Sequence, residues 1–405
     1  MTDELDLLIK ACRLRGRGDE TVDIGIHEGR IQAIDGGLGG PAATTIEAQG
    51  NLVTESFVNP HLHLDKVFTL TMLDDVAMLD YQSDSMGKAM TAIELASRVK
   101  ENYEQSWILE NVRIVLRWAA MNGNTHIRAF ADVDSKAKLE GVRALIQARE
   151  EFRGTVELQI VAFPQDGVVR EPGAAELIRA AMELGADLVG GIPWIEYSDE
   201  DARSHIDQMF AIAVEFEAGV SMLVDDAGDP GLRTLEMMAI KTLETGWQGK
   251  VLAHHARAMA LYPKPYFQKL AALLAQAEIG VVSDPHTGPL HARVKELRQK
   301  KVLVCLGQDD ITDAYYPYGQ NNMLEVAFLA SHLLWMTTRE DMEVLYDMVT
   351  VDAAAAMGIE GHALEVGSPA NLVVLQQPDV LGALRFHQPP MAVISGGKLV
   401  EDLSE

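Results

Sequence analysis

Cysteine is nearly absent from the 405-residue chain: only Cys12 and Cys305 occur, far apart in sequence. Two isolated thiols cannot build a disulfide framework or a cysteine-based zinc motif. Basic residues are scarce too, 34 against 60 acidic ones, for a formal charge of −26. Nucleic-acid and anionic-membrane partners call for basic surface, so no nucleic acid and no membrane is expected as a partner. The chain also lacks an apolar run of about 18 residues, the length a spanning helix needs. "MLEVAFLASHLLWM" comes nearest, but Glu325 and His332 interrupt it, and it reads as a buried helix. The opening "MTDELDLLIK" does not show the charged-then-apolar pattern of a secretory signal. No low-complexity tract or internal repeat stands out. A reducing, cytoplasmic compartment is the expectation, and so is assembly into a homo-oligomer.

What is present is ordinary globular composition, 48% hydrophobic and 23% charged. The length suits one large domain with a smaller partner. At the start, "LDLLIKACRL", "TVDIGIHEGRIQAID" and "TTIEAQGNLVTE" alternate apolar and polar residues between Gly and Asp breaks. "ANLVVLQ" and "MAVISGGKLVED" do the same near the other end, the second around a Gly-Gly turn. These predict a small β-sandwich domain built from both termini, residues 1–50 and 365–405, flanking a larger domain over 51–364.

That middle region changes pattern. "NLVTESFVNP", "NTHIRAFADV", "VELQIVAFPQ", "ADLVGGIPW", "GVSMLVDD", "KVLAHHAR", "IGVVSDPH" and "VLVCLGQDD" are near-continuous apolar runs separated by helical segments. Such runs suit parallel strands covered on both faces. Eight strand–helix units over roughly 250 residues predict an α/β fold of the (β/α)8 TIM-barrel type. Nearly every run ends in polar groups: His61 and His63, Asp132 and Asp134, Gln165, Asp225 and Asp226, His254 and His255, Asp284 and His286, Asp309 and Asp310. In a barrel these ends share one face, where active sites lie.

Residues i and i+2 of a strand point the same way, so His61 and His63 can aim two imidazoles at one point. An anionic oxygen from Asp309 on the last strand would complete a three-ligand platform with open positions for water. His255 closes strand six and could either ligate or hydrogen-bond a bound oxyanion. Strand alternation predicts that only one of His254 and His255 faces the site. Lys66 could offer a cation to an anionic ring substituent, but reads by default as a surface lysine. Asp132 and Asp134 read as loop hydrogen bonders, and "DPHTGP" around Asp284 and His286 as turn chemistry as much as substrate contact. Asp229 before Pro230 reads as a helix N-cap with Pro at N1.

The stretches "VNPHLHLD", "VAFPQDG", "LGADLVGGIPWIEY", "LGQDDITDAYYPYGQNNML" and "GSPANLVVL" resemble the amidohydrolase superfamily, specifically its cytosine deaminase-like branch, over nearly the whole chain. "LDLLI", "GNLV" and "DLVGG" add a likeness to the triazine-pathway isopropylaminohydrolases. The resemblance implies hydrolysis of a C–N bond in a small nitrogenous heterocycle or amide. It implies one divalent metal ion, zinc or iron with manganese as a further option, on His61, His63 and Asp309. Asp309 would take a proton from the nucleophilic water. His255 would lie near the attacked carbon, while Gln165, Asp310, Tyr315 and Trp194 would hold the ring. Strand four has no lysine to bridge two metals, so the site would be mononuclear.

The resemblance breaks on strand five. Where the family pattern has a ligating histidine and, three residues later, a proton-shuttling glutamate, this chain has Leu223 and Asp226, whose shorter carboxylate would stand in as the catalytic proton donor to the leaving nitrogen. Three arrangements follow: a site rebuilt around His61, His63, Asp309 and His255; Asp225 as substitute ligand, about 6–7 Å nearer the mouth; or a metal-poor, non-catalytic barrel that binds a small nitrogenous ligand.

Overall fold

The two periodicities in the sequence become two kinds of sheet. The computed structural model describes residues 5–72 and 89–401; residues 1–4 and 402–405, counted above in the small domain, lie outside the described residues. Near the start run β1 (Leu5–Arg13), β2 (Thr21–His27), β3 (Arg30–Asp35), β4 (Ala42–Glu47) and the short β5 (Val53–Glu55). β1–β4 form one sheet in the order β3-β2-β1-β4. Pairing in register, Leu7 opposite Ile26 and Ile9 opposite Ile24, keeps one face apolar.

The barrel follows as β6 (Phe57–His63), β7 (Asn124–Asp132), β8 (Glu157–Phe163), β9 (Leu188–Gly191), β10 (Gly219–Val224), β11 (Val251–His255), β12 (Gly280–Ser283) and β13 (Val304–Leu306). They pair parallel in chain order. Closure occurs just past β13: Leu62 bridges Asp309 in parallel, the His63 amide donates to the Asp309 carbonyl at 2.8 Å, and the Asp309 amide donates to the His61 carbonyl at 2.9 Å. The hydrogen bonds that close the barrel therefore run through the backbone of the expected metal ligands.

β14 (Leu372–Val374), β15 (Ala392–Ser395) and β16 (Lys398–Leu399) return to the terminal domain, joined by β5, which pairs antiparallel with β14 although it follows residue 50. Gly396 and Gly397, at φ 54° and 80°, make the tight turn between β15 and β16. The apolar faces of the two terminal sheets meet in one buried cluster that includes Leu7, Ile9, Ile24, Val53, Leu372 and Ile394, giving a sandwich.

Alternation along each barrel strand sorts the core. Val220, Met222 and Val224 face the surrounding helices, and Leu223 faces inward. The interior is layered. Val58, Leu252, Val282 and Cys305 fill the bottom against Ala353, Ala354 and Met357 of the helix Val351–Met357. Above them Arg128 donates to Gln159, Ser221 and the Met357 carbonyl. Phe130, Phe163 and Leu223 form an apolar wall higher still. The apolar segment around Glu325 is the helix Met323–Leu333. No helix among the described residues is long and apolar enough to cross a membrane.

Candidate metal centre and active site

Three strand ends bring four side chains together around one oxygen. His61 Nε2 hydrogen-bonds Asp309 Oδ1 at 2.8 Å, with His63 Nε2 at 3.6 Å and His255 Nε2 at 3.8 Å from the same atom. All four side chains are buried. Two trios, His61/His255/Asp309 and His63/Asp309/Asp310, bring ligand-type atoms within 4.8 Å of one another. Gly307 makes this approach feasible: a β-carbon there would overlap Asp284 Oδ1 and lie 2.7 Å from the His61 Cβ.

The electrostatics suit a cation. Burial pushes the Asp309 carboxyl up, but His255, His61 and His63 outweigh it and hold the group well below the usual carboxylate range. Burial pulls His63 well down, with Lys66 adding to it, and lowers His255 to about 4 against the pull of Asp309 and Asp284. Both rings are thus neutral, with lone pairs to donate. Neither His63 Nε2 nor His255 Nε2 makes a hydrogen bond among the described residues. Imidazole nitrogens crowded on a carboxylate oxygen without a shared proton are what a divalent transition metal would satisfy, so the donor set fits the group that the sequence implies.

The end of strand five fills the break in the family pattern in its own way. Leu223 packs with Phe130, Phe163, Leu188 and Ile192, so an apolar wall occupies the place of a third ligand. Asp225 is not brought into the cluster: its Oδ1 accepts from the Thr234 amide at 2.6 Å and hydroxyl at 2.7 Å, and its Oδ2 from the Tyr262 hydroxyl. Asp226 is gripped by Arg257, which donates from Nε to Oδ1 and from Nη2 to Oδ2 at 3.1 Å. Burial still raises Asp226 to about 6 against that guanidinium.

The histidine pair does not obey alternation. His254 points inward, its ring 4.5 Å from that of His61, yet His255 also reaches the centre, at 5.0 Å. His255 and Ala256 adopt φ 65° and 50°, and this left-handed bend turns the second imidazole inward. Asp284 Oδ2, 3.2 Å from His255 Nδ1, leaves Nε2 facing Asp309. Asp229 caps no helix; its Oδ1 accepts from the Gly231 amide in a turn, and the next helix begins at Thr234.

The substrate side holds a residue misread in the sequence. Lys66 is buried, not on the surface. The one-turn helix Leu64–Lys66 folds it back over the mouth, where Nζ donates to Asp132 at 2.8 and 3.0 Å and to Gln165 Oε1 at 3.2 Å. Asp134 pairs with buried Lys100 at 2.6 Å, as does Asp166. Asp132 and Asp134 are thus ion-paired rather than plain loop hydrogen bonders. Asp310 lies beside Asp309 and Asp313, and burial and those two neighbours push it well above the carboxylate range. Trp194 and Tyr315 pack half-buried on the apolar wall with Leu223. Nothing in the local sequence of Lys66, Lys100 or Arg257 marks them; their acidic partners lie between 31 and 66 residues away.

A barrel with imidazoles and a carboxylate gathered at its C-terminal strand ends is the architecture of hydrolases that activate water. The chain belongs to the amidohydrolase family, whose sequence model matches residues 44–401. It is 29% identical, over 99% of this chain and 98% of the relative, to N-isopropylammelide isopropyl amidohydrolase of Pseudomonas sp. strain ADP. It is 24% identical to a pterin deaminase of Rhizobium rhizogenes, covering 94% and 87% of the two chains. Among solved structures, 5-methylcytosine deaminase from Klebsiella pneumoniae liganded with 5-fluorocytosine superposes with a TM-score of 0.89 at 28% identity, covering 98% of each chain. N-isopropylammelide isopropylaminohydrolase from Burkholderia multivorans gives 0.86 at 29%, covering 97% of each. The chain is a hydrolase acting on C–N bonds other than peptide bonds, and the reading as a silent binding barrel is set aside.

Proposed function

We propose that the chain is a mononuclear metal-dependent aminohydrolase that releases ammonia or an amine from a small planar heterocycle. The observation that carries this is the convergence of three imidazole nitrogens on Asp309 Oδ1. Bound by His61, His63 and Asp309 with His255 beside it, zinc, iron or manganese would lower the pKa of water toward neutrality. Asp309, held ionised by its histidines, accepts the water proton and returns it to the leaving nitrogen. His255, whose Nδ1 lies 3.2 Å from Asp284 Oδ2, keeps the lone pair of Nε2 toward Asp309, where it can accept a hydrogen bond from the nucleophilic water or serve as a further ligand. Asp226 is tied to Arg257, which leaves it less free for the shuttle role, and it lies 3.9 Å from His255 Nδ1. The ring lies against Trp194 and Tyr315, with Gln165 and Asp310 at its polar edge.

The test combines metal analysis with product release. Protein purified without chelator is expected to carry about one metal ion per chain. It should release ammonia or isopropylamine from at least one of cytosine, 5-methylcytosine and N-isopropylammelide, the compounds that the names of its relatives suggest. Asp309→Asn should lower turnover by about a thousandfold or more. Metal below about a tenth per chain, with no activity regained on adding zinc, iron or manganese, would sink the proposal.

A further inference from the structure

We infer that Glu196 and His205 are a positioning pair for the substrate pocket: the Glu196 carboxylate ties the loop that follows β8 to the turn that carries Trp194, and His205 pins that turn to the helix behind it. This rests on the aminohydrolase reading of the same pocket. Glu196 lies in "LGADLVGGIPWIEY", directly after the one-turn helix Pro193–Ile195. Its side chain is fully buried, and so is that of His205. Oε1 accepts from the Val168 amide at 2.7 Å and the Val169 amide at 3.1 Å, and Oε2 from the Arg170 amide at 2.9 Å. Three successive amides aimed at one carboxylate make an anion-binding nest. Gly167 lets the carboxylate approach: its φ is 97°, and a β-carbon there would lie 3.0 Å from Glu196 Oε1.

His205 belongs to the helix Asp199–Glu215. Its Nε2 accepts from the Ile192 amide at 3.1 Å, so that nitrogen carries no proton. The proton is therefore on Nδ1, which donates to Glu196 Oε1 at 2.7 Å. Burial pulls the His205 imidazole down against the pull of Glu196. Burial pushes the Glu196 carboxyl up, but His205 and the loop amides outweigh it. A neutral ring thus grips both ends of the turn 192–196, and an ionised carboxylate strengthens each bond it accepts. Inside that turn Trp194 packs on the wall formed by Leu223, Phe163 and Ile192. The loop on the other side of the carboxylate starts at Gln165, one residue after β8 and Pro164. Groups that face a substrate hold their geometry only as well as the contacts behind them. The candidate metal ligands lie on β6, β11 and the segment after β13, whereas this pair follows β9. Its loss should weaken ring binding and spare the chemical step.

His205→Leu removes both hydrogen bonds while filling the space. With whichever of cytosine, 5-methylcytosine and N-isopropylammelide is turned over, KM should rise at least about tenfold and kcat fall by less than about threefold, with metal content unchanged. Amide hydrogen exchange read by mass spectrometry should speed up about tenfold or more in peptides spanning 166–171 and 191–197, and stay as it was in β6. His205→Gln, whose side-chain amide offers a donor and an acceptor, should return both readouts to within about threefold of the parent protein. Glu196→Gln covers the case in which the leucine variant does not fold. It keeps the shape but sets an –NH2 among donors, and should raise KM in the same way. An unchanged KM, a loss confined to kcat, no rescue by glutamine at 205, or unaltered exchange in both peptides would each overturn the inference. If none of the three compounds is turned over, the aminohydrolase reading fails by itself, and exchange in the two peptides still decides whether the pair holds the loops.

Discussion

Leu223 presents a leucyl side chain, 4% exposed, toward the rings that flank the candidate metal ligands: Phe130 lies 4.4 Å from the His61 ring and 5.3 Å from that of His63. An imidazole placed there would add a ligand while losing apolar contact. Leu223→His is therefore expected to act in two directions. Without metal the variant buries a polar ring against phenylalanines and should lose about 1–3 kcal/mol of stability. With metal it should bind roughly tenfold more tightly, worth about 1.4 kcal/mol. Urea unfolding and a competitive chelator titration measure the two separately. No gain in metal affinity would show that position 223 does not face the centre. The primary ligand candidates were legible at this scale because His61, His63 and Asp309 carry their chemistry in residue type and position at strand ends. Lys66, Lys100 and Arg257 were not, since a lysine or arginine acquires meaning only from the carboxylate it meets. Lys66 meets Asp132 through a one-turn helix that no periodicity announces.

The end of β10 shows what an element contributes beyond its residues. Val224 still pairs with His255, in the register that sets Leu223 opposite His254. At Asp225 the backbone turns left-handed, φ 47°, and the carboxylate swings to Thr234 and Tyr262. It latches the strand end to the start of the next helix, Thr234–Thr245, and to Tyr262, which follows β11. Asp225→Ala should leave the buried Thr234 N–H and hydroxyl without their acceptor, the Tyr262 hydroxyl keeping the Leu232 carbonyl, and cost about 2–3 kcal/mol, with metal content unchanged. Metal lost at full stability would return Asp225 to the ligand set. All eight barrel strands were legible from apolar runs, and so were the helices between them. The strand ends were less so, because left-handed residues break the alternation on which facing arguments rest. That is why both His254 and His255 come within 5.0 Å of the His61 ring. Asp229-Pro230 misled for a related reason: the same dipeptide opens a helix or a turn.

For the molecule as a whole, the sandwich of terminal sheets was legible from two alternating ends. The membership of β5 was not, because only Ser56 separates it from β6. The barrel, however, couples stability to the site in a way composition cannot show. Its last seam, between β6 and the residues after β13, is made by the backbones of His61, His63 and Asp309. A metal held by the same side chains would brace that seam and bind the folded chain alone. Loading at a thousandfold above the dissociation constant should therefore stabilise the protein by roughly 4 kcal/mol, visible as a higher melting temperature than after chelation. The sign with pH follows from the ligands. In the stripped protein, burial pulls the His61 imidazole down, but Asp284, Asp309 and Asp226 outweigh it and raise its pKa. A raised pKa contributes stability below the unfolded histidine value, and this is lost as pH rises through the folded one. Metal requires the neutral ring, so its contribution runs the other way and fades as the medium becomes acid. The loaded and stripped melting curves should stand well apart near pH 8 and converge toward about pH 5. A gap independent of pH would mean that the stabilising ion is held by carboxylates rather than imidazoles, and a stripped protein that melts no lower at any pH would mean that no ion braces the seam.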